Sequence, residues 1–137
     1  SMMNEGYRNS SIYGMLGYFK LLRNDDLDET TKLCEEAYDY NSDDRDIKDN
    51  LSICYFRKGE YEKAEKISDE LVVAAPNFVE GFYHGIQIAM KLNKYDKAAE
   101  YAEKLKECKR SGMTTVTEEE VNKLIQEVKN HNENTIG

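Results

Sequence analysis

The sequence predicts an all-α protein: three tandem helix–turn–helix hairpins followed by a C-terminal capping helix. Two observations carry that reading. The phrase EYEKAEKI at 60–67 returns as KYDKAAEY at 94–101, so Tyr61 and Tyr95, Ala64 and Ala98, and Leu71 and Leu105 are each 34 residues apart. Apolar residues around both phrases recur at helical spacing, and each run stops at a Gly, Asn or Pro. A repeat of this period is a supersecondary unit too small to bury its apolar face alone, so copies must stack.

The middle copy is the clearest. Ile47, Leu51, Cys54 and Tyr55 recur at i, i+4, i+7 and i+8, one face of a helix. Lys58-Gly59-Glu60 interrupts the run, with Gly59 suited to the left-handed conformation that ends a helix. Tyr61, Ala64, Ile67, Ser68 and Leu71 carry a second helix, and Pro76 closes the unit. The third copy repeats the plan with Phe82, Ile86, Ala89 and Met90, then Leu92-Asn93-Lys94, then Tyr95, Ala98, Ala102 and Leu105. Small Ala64 and Ala98 suit a close helix crossing, with Tyr61 and Tyr95 filling the gap beside them.

The first copy is degenerate. Leu27 stands for the tyrosine, Thr30 for the alanine, Ala37 for the leucine and Asp25 for the turn glycine. Its helices are expected over 12–22 and from Leu27 to Tyr40, with NSDD at 41–44 as the break. The expected units are therefore about 11–44, 45–78 and 79–110. A loop over 111–116 leads to a capping helix over 117–131, opened by the capping box Thr117–Glu120. Val121, Leu124, Ile125 and Val128 give that helix one apolar stripe. Residues 132–137 read as a frayed tail. The leading Ser-Met reads as a tag remnant, and 1–10 is set aside with it.

Composition narrows the function classes. The chain has 137 residues, 39% of them hydrophobic, and a net charge of −8. Nucleic-acid binding and attachment to anionic lipid both need a basic surface, so neither is expected. Nothing in the sequence reads as a signal peptide, and no run approaches the roughly 18 apolar residues suited to a membrane span. Lys104, Lys106, Lys109 and Arg110 cluster where a helix C-terminus favours cations. Cys34, Cys54 and Cys108 lack CxxC spacing, which suggests a reducing, cytoplasmic setting and thiols used as small hydrophobes. His84 and His131 are the only histidines and have no metal-ligand spacing. Neither GxGxxG nor a P-loop occurs. An enzyme is not expected, nor any cofactor or metal.

A 34-residue helical hairpin with this residue order resembles the tetratricopeptide repeat family. Leu51, Ser52, Tyr55, Gly59, Tyr61, Ala64, Leu71 and Pro76 match its slots or their common substitutes. Phe82, Ala89, Tyr95, Ala98, Ala102 and Leu105 do so in the third copy. The first copy matches mainly by spacing. Lys48 stands where the family has its first aromatic, and Gly17 and Gly85 fall one residue before the usual glycine. The resemblance implies a right-handed superhelix of hairpins whose first helices line a concave groove that binds protein or peptide.

Carried over slot by slot, that groove would be lined by Ile12, Met15, Leu16, Phe19 and Arg23 from the first helix. Asp46, Asp49, Asn50, Ile53 and Arg57 would come from the second, and Glu80, Tyr83, His84, Gln87 and Lys91 from the third. The last two copies with the extra helix are similar to co-chaperone domains, whose basic and Asn residues clamp the C-terminal carboxylate of a Glu-Glu-Val-Asp tail. The clamp is not preserved. Only Asn50 carries the family's residue, while Met15, Phe19, Glu80 and His84 replace clamp residues. Arg23, Arg57 and Lys91 recur as a basic ladder or, more simply, as cations at helix ends.

One segment departs from a surface helix altogether. IYGMLGYFKLL at 12–22 contains a single charge, Lys20, whereas a solvated helix shows a polar face. A partner or a second copy is expected to cover it. The reading is a non-catalytic adaptor that binds a peptide or protein segment in its groove. The alternatives are a co-chaperone-type domain with a divergent clamp and a constitutive subunit of a larger complex.

Overall fold

Left-handed residues punctuate the chain at Asn24, Gly59 and Asn93, with φ of 55°, 80° and 60°. Each ends a helix in a structure that, as a computed structural model, describes the backbone of residues 10–136 and the side chains of 14–133. The described helices are α1 (Ser10–Leu22), α2 (Leu27–Tyr40), α3 (Arg45–Arg57), α4 (Tyr61–Ala74), α5 (Val79–Lys91), α6 (Tyr95–Glu107) and α7 (Glu118–Ile136). All the regular structure among the described residues is helical. The segment 1–9, including the expected tag remnant, lies outside the described residues, as do the side chains of Ile12 and Tyr13.

The turns share one hydrogen-bond scheme. Asn24, Gly59 and Asn93 N–H groups donate to Leu21, Phe56 and Met90 carbonyls at 3.2, 3.0 and 3.1 Å. The next residues, Asp25, Glu60 and Lys94, reach back to Lys20, Tyr55 and Ala89 at 3.0, 2.9 and 2.9 Å. This paired pattern satisfies helix-terminal carbonyls and requires the left-handed residue. The 34-residue spacing predicts Asp25 in that slot, whereas the structure gives it to Asn24, one residue earlier. The first turn is thereby extended, and Asp26 caps α2 by accepting the Glu29 N–H at 2.9 Å.

The described residues divide into two compact units, one ending at Ile67 and the other starting at Ser68, with the division inside α4. In the first unit α1, α2 and α3 pack on one another around Leu21, Cys34, Leu51, Cys54 and Ile67. Gly17 permits the approach of α1: a Cβ there would lie 3.0 Å from Asn50 Nδ2 and 3.2 Å from Cys34 Sγ. Thr30 is buried in the slot that the other copies give to alanine, its hydroxyl donating to the Asp26 carbonyl at 2.8 Å.

In the second unit Phe82, Ile86 and Ala89 of α5 face Ala98, Tyr101, Ala102 and Leu105 of α6, and Leu124 and Val128 of α7 join the same core. A Cβ on Gly85 would sit 3.1 Å from both Ser68 Oγ and the Tyr101 ring. The capping box forms: Thr117 N–H donates to Glu120 Oε1 and Glu120 N–H to Thr117 Oγ1, both at 3.0 Å. α7 continues through 132–136, so the expected frayed tail is helical to Ile136. Ala64 and Ala98 are fully buried as expected, but Tyr61 and Tyr95 are only half-buried. Tyr95 stacks on His131 of α7, ring centroids 3.6 Å apart. Among the described residues, no helix is long and apolar enough to cross a membrane.

Candidate partner-binding site

In the first unit the candidate residues are carried by α1 and α3. At 3.6 residues per turn, Gly14, Gly17 and Leu21 fall on one face, and all are buried. Met15, Phe19 and Leu22, at i, i+4 and i+7, fall on another and are 57%, 49% and 59% exposed. Large apolar side chains thus form a continuous bare stripe, with the Tyr18 ring 5.9 Å from that of Phe19. Leu22 was absent from the groove residues drawn from the family slots, although its helical spacing from Met15 and Phe19 marks it in the sequence.

The polar candidates of this unit are engaged internally. Asn50 is buried, and its amide donates to the Gly14 carbonyl at 2.9 Å, tying α3 to α1. Arg57 donates to the Leu21 carbonyl at 3.0 Å, neutralising the last turn of α1. Arg23 folds onto Asp25 at 2.9 Å. Two members of the 34-residue basic ladder therefore close helix α1 locally. Ile53 is half-buried and packs against the first-unit core. Asp49 is buried and Asp46 exposed.

In the second unit the candidate residues are carried by α5. Glu80 is buried, accepting the Thr115 N–H at 3.2 Å and the Thr115 hydroxyl at 3.0 Å, which pins the α6–α7 loop to α5. The carboxylate that stands in a clamp slot is thus a loop anchor. Tyr83 is half-buried and packs on the core shared with α7. That burial, with the charges of Glu120 and Glu127, pushes its phenol above the ordinary value. His84 meets Tyr83 edge-on at 5.5 Å between ring centroids. Gln87 is half-buried and Lys91 exposed. The bare apolar surface of the candidate residues thus lies on α1 rather than α5. Among the described residues, no group of three or more His, Cys, Asp or Glu is placed to hold a metal ion.

Residues 21–81 match the tetratricopeptide repeat family. The Sgt2 TPR domain from Aspergillus fumigatus superposes with a TM-score of 0.77 at 17% identity, covering 92% of this chain and 80% of that one. The first TPR of Spaghetti (RPAP3), bound to the HSP90 peptide SRMEEVD, gives a TM-score of 0.73 at 14% identity over 89% and 91% of the two chains. The Hsp90 co-chaperone Cns1 from Saccharomyces cerevisiae gives 0.73 at 12% identity, over 98% of this chain and 43% of that one. At these identities the likeness is one of fold. No curated protein matches the sequence.

Proposed function

We propose that this chain, with its tetratricopeptide-repeat fold, is a non-catalytic cytoplasmic adaptor that binds a protein or peptide segment along its first helices. The observation that carries this reading is the exposed stripe Met15–Phe19–Leu22 on a helix with one charge. Aromatic and large apolar anchors dominate binding hot spots, and exposed apolar patches mark interaction sites. The bound segment presents apolar side chains to α1. A second copy of the chain is the alternative occupant, since the stripe carries no acidic residue to oppose one.

A co-chaperone-type role with a divergent clamp is the second reading, favoured by the relatives' fold. The side chains here work against a carboxylate grip. The Asn50 amide is committed to Gly14, and Glu80 is not a cation. Titration with the peptide SRMEEVD, as free acid and as C-terminal amide, separates the readings. Binding lost on amidation establishes the clamp.

The adaptor reading is tested by the double variant Phe19→Ala/Leu22→Ala, folded by circular dichroism. Partners retained by the wild-type chain from native lysate are expected to be lost. Sedimentation of both proteins reports self-association through the same stripe. A variant that keeps every partner and every oligomer of the wild type moves the binding surface off α1.

A further inference from the structure

Two of the three cysteines meet in the core of the first unit. Cys34 on α2 and Cys54 on α3 are 2% and 0% exposed, and their sulfurs share a hydrogen bond at 3.7 Å. A disulfide needs about 2.05 Å between sulfurs, so the two thiols stand in contact, one bond formation short of a covalent link between neighbouring helices. Cys108, in the other unit, is half-buried and belongs to no such pair.

We propose that Cys34 and Cys54 are an oxidisable pair, which a hydroperoxide converts into a disulfide joining α2 to α3. Cys54 is the attacking sulfur. When it ionises, the Cys34 thiol donates to it and holds it below the ordinary thiol value, with the Arg57 charge assisting against burial. The same hydrogen bond and the same burial drive Cys34 upward, so it remains the proton carrier.

The chemistry balances with the peroxide as sole oxidant. The Cys54 thiolate attacks one peroxide oxygen, the O–O bond breaks, and the alkoxide leaves and takes up the proton that Cys54 released. Cys54 is now a sulfenic acid. The Cys34 sulfur attacks it, the S–S bond forms, the S–O bond breaks, and the departing hydroxide leaves as water with the Cys34 proton. Two thiols and one hydroperoxide become one disulfide, one alcohol and one water, with two electrons transferred.

Burial ordinarily makes a thiol inert, so access decides the rate. Gly17 of α1 closes over the pair, with a position for Cβ 3.2 Å from Cys34 Sγ. Local opening of α1 is the route by which peroxide enters, as such openings need far less free energy than global unfolding. A methyl group at Gly17 must push α1 away from Cys34 and Asn50, which widens that route.

The test uses the full chain with Cys108→Ser, which removes the half-buried third thiol. The folded protein is exposed to tert-butyl hydroperoxide, denatured, alkylated and weighed. The expected result is loss of the mass of two hydrogen atoms, loss of both alkylation sites, a Cys34–Cys54 cross-linked peptide, and reversal by dithiothreitol. Cys34→Ser or Cys54→Ser abolishes the cross-link, with Cys34→Ala and Cys54→Ala as replacements should the serine variants misfold. Gly17→Ala, folded by circular dichroism, accelerates closure several-fold. The proposal is overturned if both thiols remain fully alkylatable under conditions that oxidise Cys108 in the parent chain. It is equally overturned if Cys54 accumulates sulfinic acid without the cross-link. An unchanged rate in Gly17→Ala overturns the route through α1.

Discussion

Helices α1 and α5 are the first helices of the first and third hairpins, yet one is bare and the other covered. On α5, Phe82 and Ile86 are buried, and Tyr83 packs on the core shared with Leu124 and Val128 of α7. Glu80 is drawn in as well, by the loop that leads to α7. On α1 the helix is anchored by its glycines, by Leu21, and by hydrogen bonds from Asn50 and Arg57, while Met15, Phe19 and Leu22 face outward. The difference shows that repeat slots do not by themselves define a binding surface. What a slot exposes depends on the flanking element. The capping helix draws Tyr83 of α5 against the core, whereas Met15, in the same slot of α1, stays open.

The contrast is broken most directly by truncating one side chain on each helix. Ile86 is fully buried, so Ile86→Ala is expected to cost about 2–5 kcal/mol through lost apolar burial and the cavity left behind. Phe19→Ala, on the bare stripe, is expected to change stability by no more than about 0.5 kcal/mol. Urea unfolding followed by circular dichroism measures both. A cost for Phe19 similar to that for Ile86 would place Phe19 in a core and remove the basis of the comparison.

Asn50 sharpens the same contrast at smaller scale. Its amide is the buried link between α3 and the backbone of α1. Asn50→Ala is expected to destabilise by about 1–2 kcal/mol, since a buried carbonyl loses its donor. Amide hydrogen exchange should accelerate in α1 more than in α5. Uniform acceleration across both helices would mean that the bond supports the whole chain rather than seating α1.

Much of this architecture is legible in the sequence because its determinants are local. The 34-residue period, the left-handed Gly59 and Asn93, and the Thr117–Glu120 box each name their structural role within a few residues. The degenerate copy is where local reading slipped: Asn24 and Asp25 are both plausible turn residues, and only the closed hydrogen bonds decide between them. The candidate site was harder still, because its state depends on contacts distant in sequence. Glu80 meets Thr115 and Asn50 meets Gly14 across about 35 residues, and no periodicity encodes such pairs. Leu22 is legible from its helical spacing to Met15 and Phe19, although it lies outside the family slots that line the groove.

Ser68 probes the packing of the covered unit. Its Oγ is buried without a hydrogen-bond partner among the described residues, 3.1 Å from the position a Gly85 Cβ would take. A buried hydroxyl without a partner carries an uncompensated desolvation cost. Ser68→Ala is therefore expected to raise stability by about 1 kcal/mol, read as a higher denaturant midpoint at unchanged slope. A loss of stability would reveal that the hydroxyl has a partner, such as a bound water, and that this part of the second unit is less dry than it looks.

The smallest effect concerns the end of the covering helix itself. Glu120 is held below the ordinary carboxylate value, first by the Thr117 backbone N–H and then by the Thr117 hydroxyl. A carboxyl whose folded value lies below its unfolded one stabilises the fold above the unfolded value, about 4.3 for glutamate. That contribution is lost as pH falls through the lowered folded value. Glu120→Gln keeps the capping-box geometry, because glutamine also reaches the cap, but removes the titration. The variant should therefore lose less stability between neutral pH and pH of about 3 than the wild type does. Since α7 is what covers α5, the acid-induced loosening should be seen in the Tyr83 environment by near-ultraviolet circular dichroism. An identical pH profile in variant and wild type would mean that the box holds the start of α7 without stabilising the cover it provides.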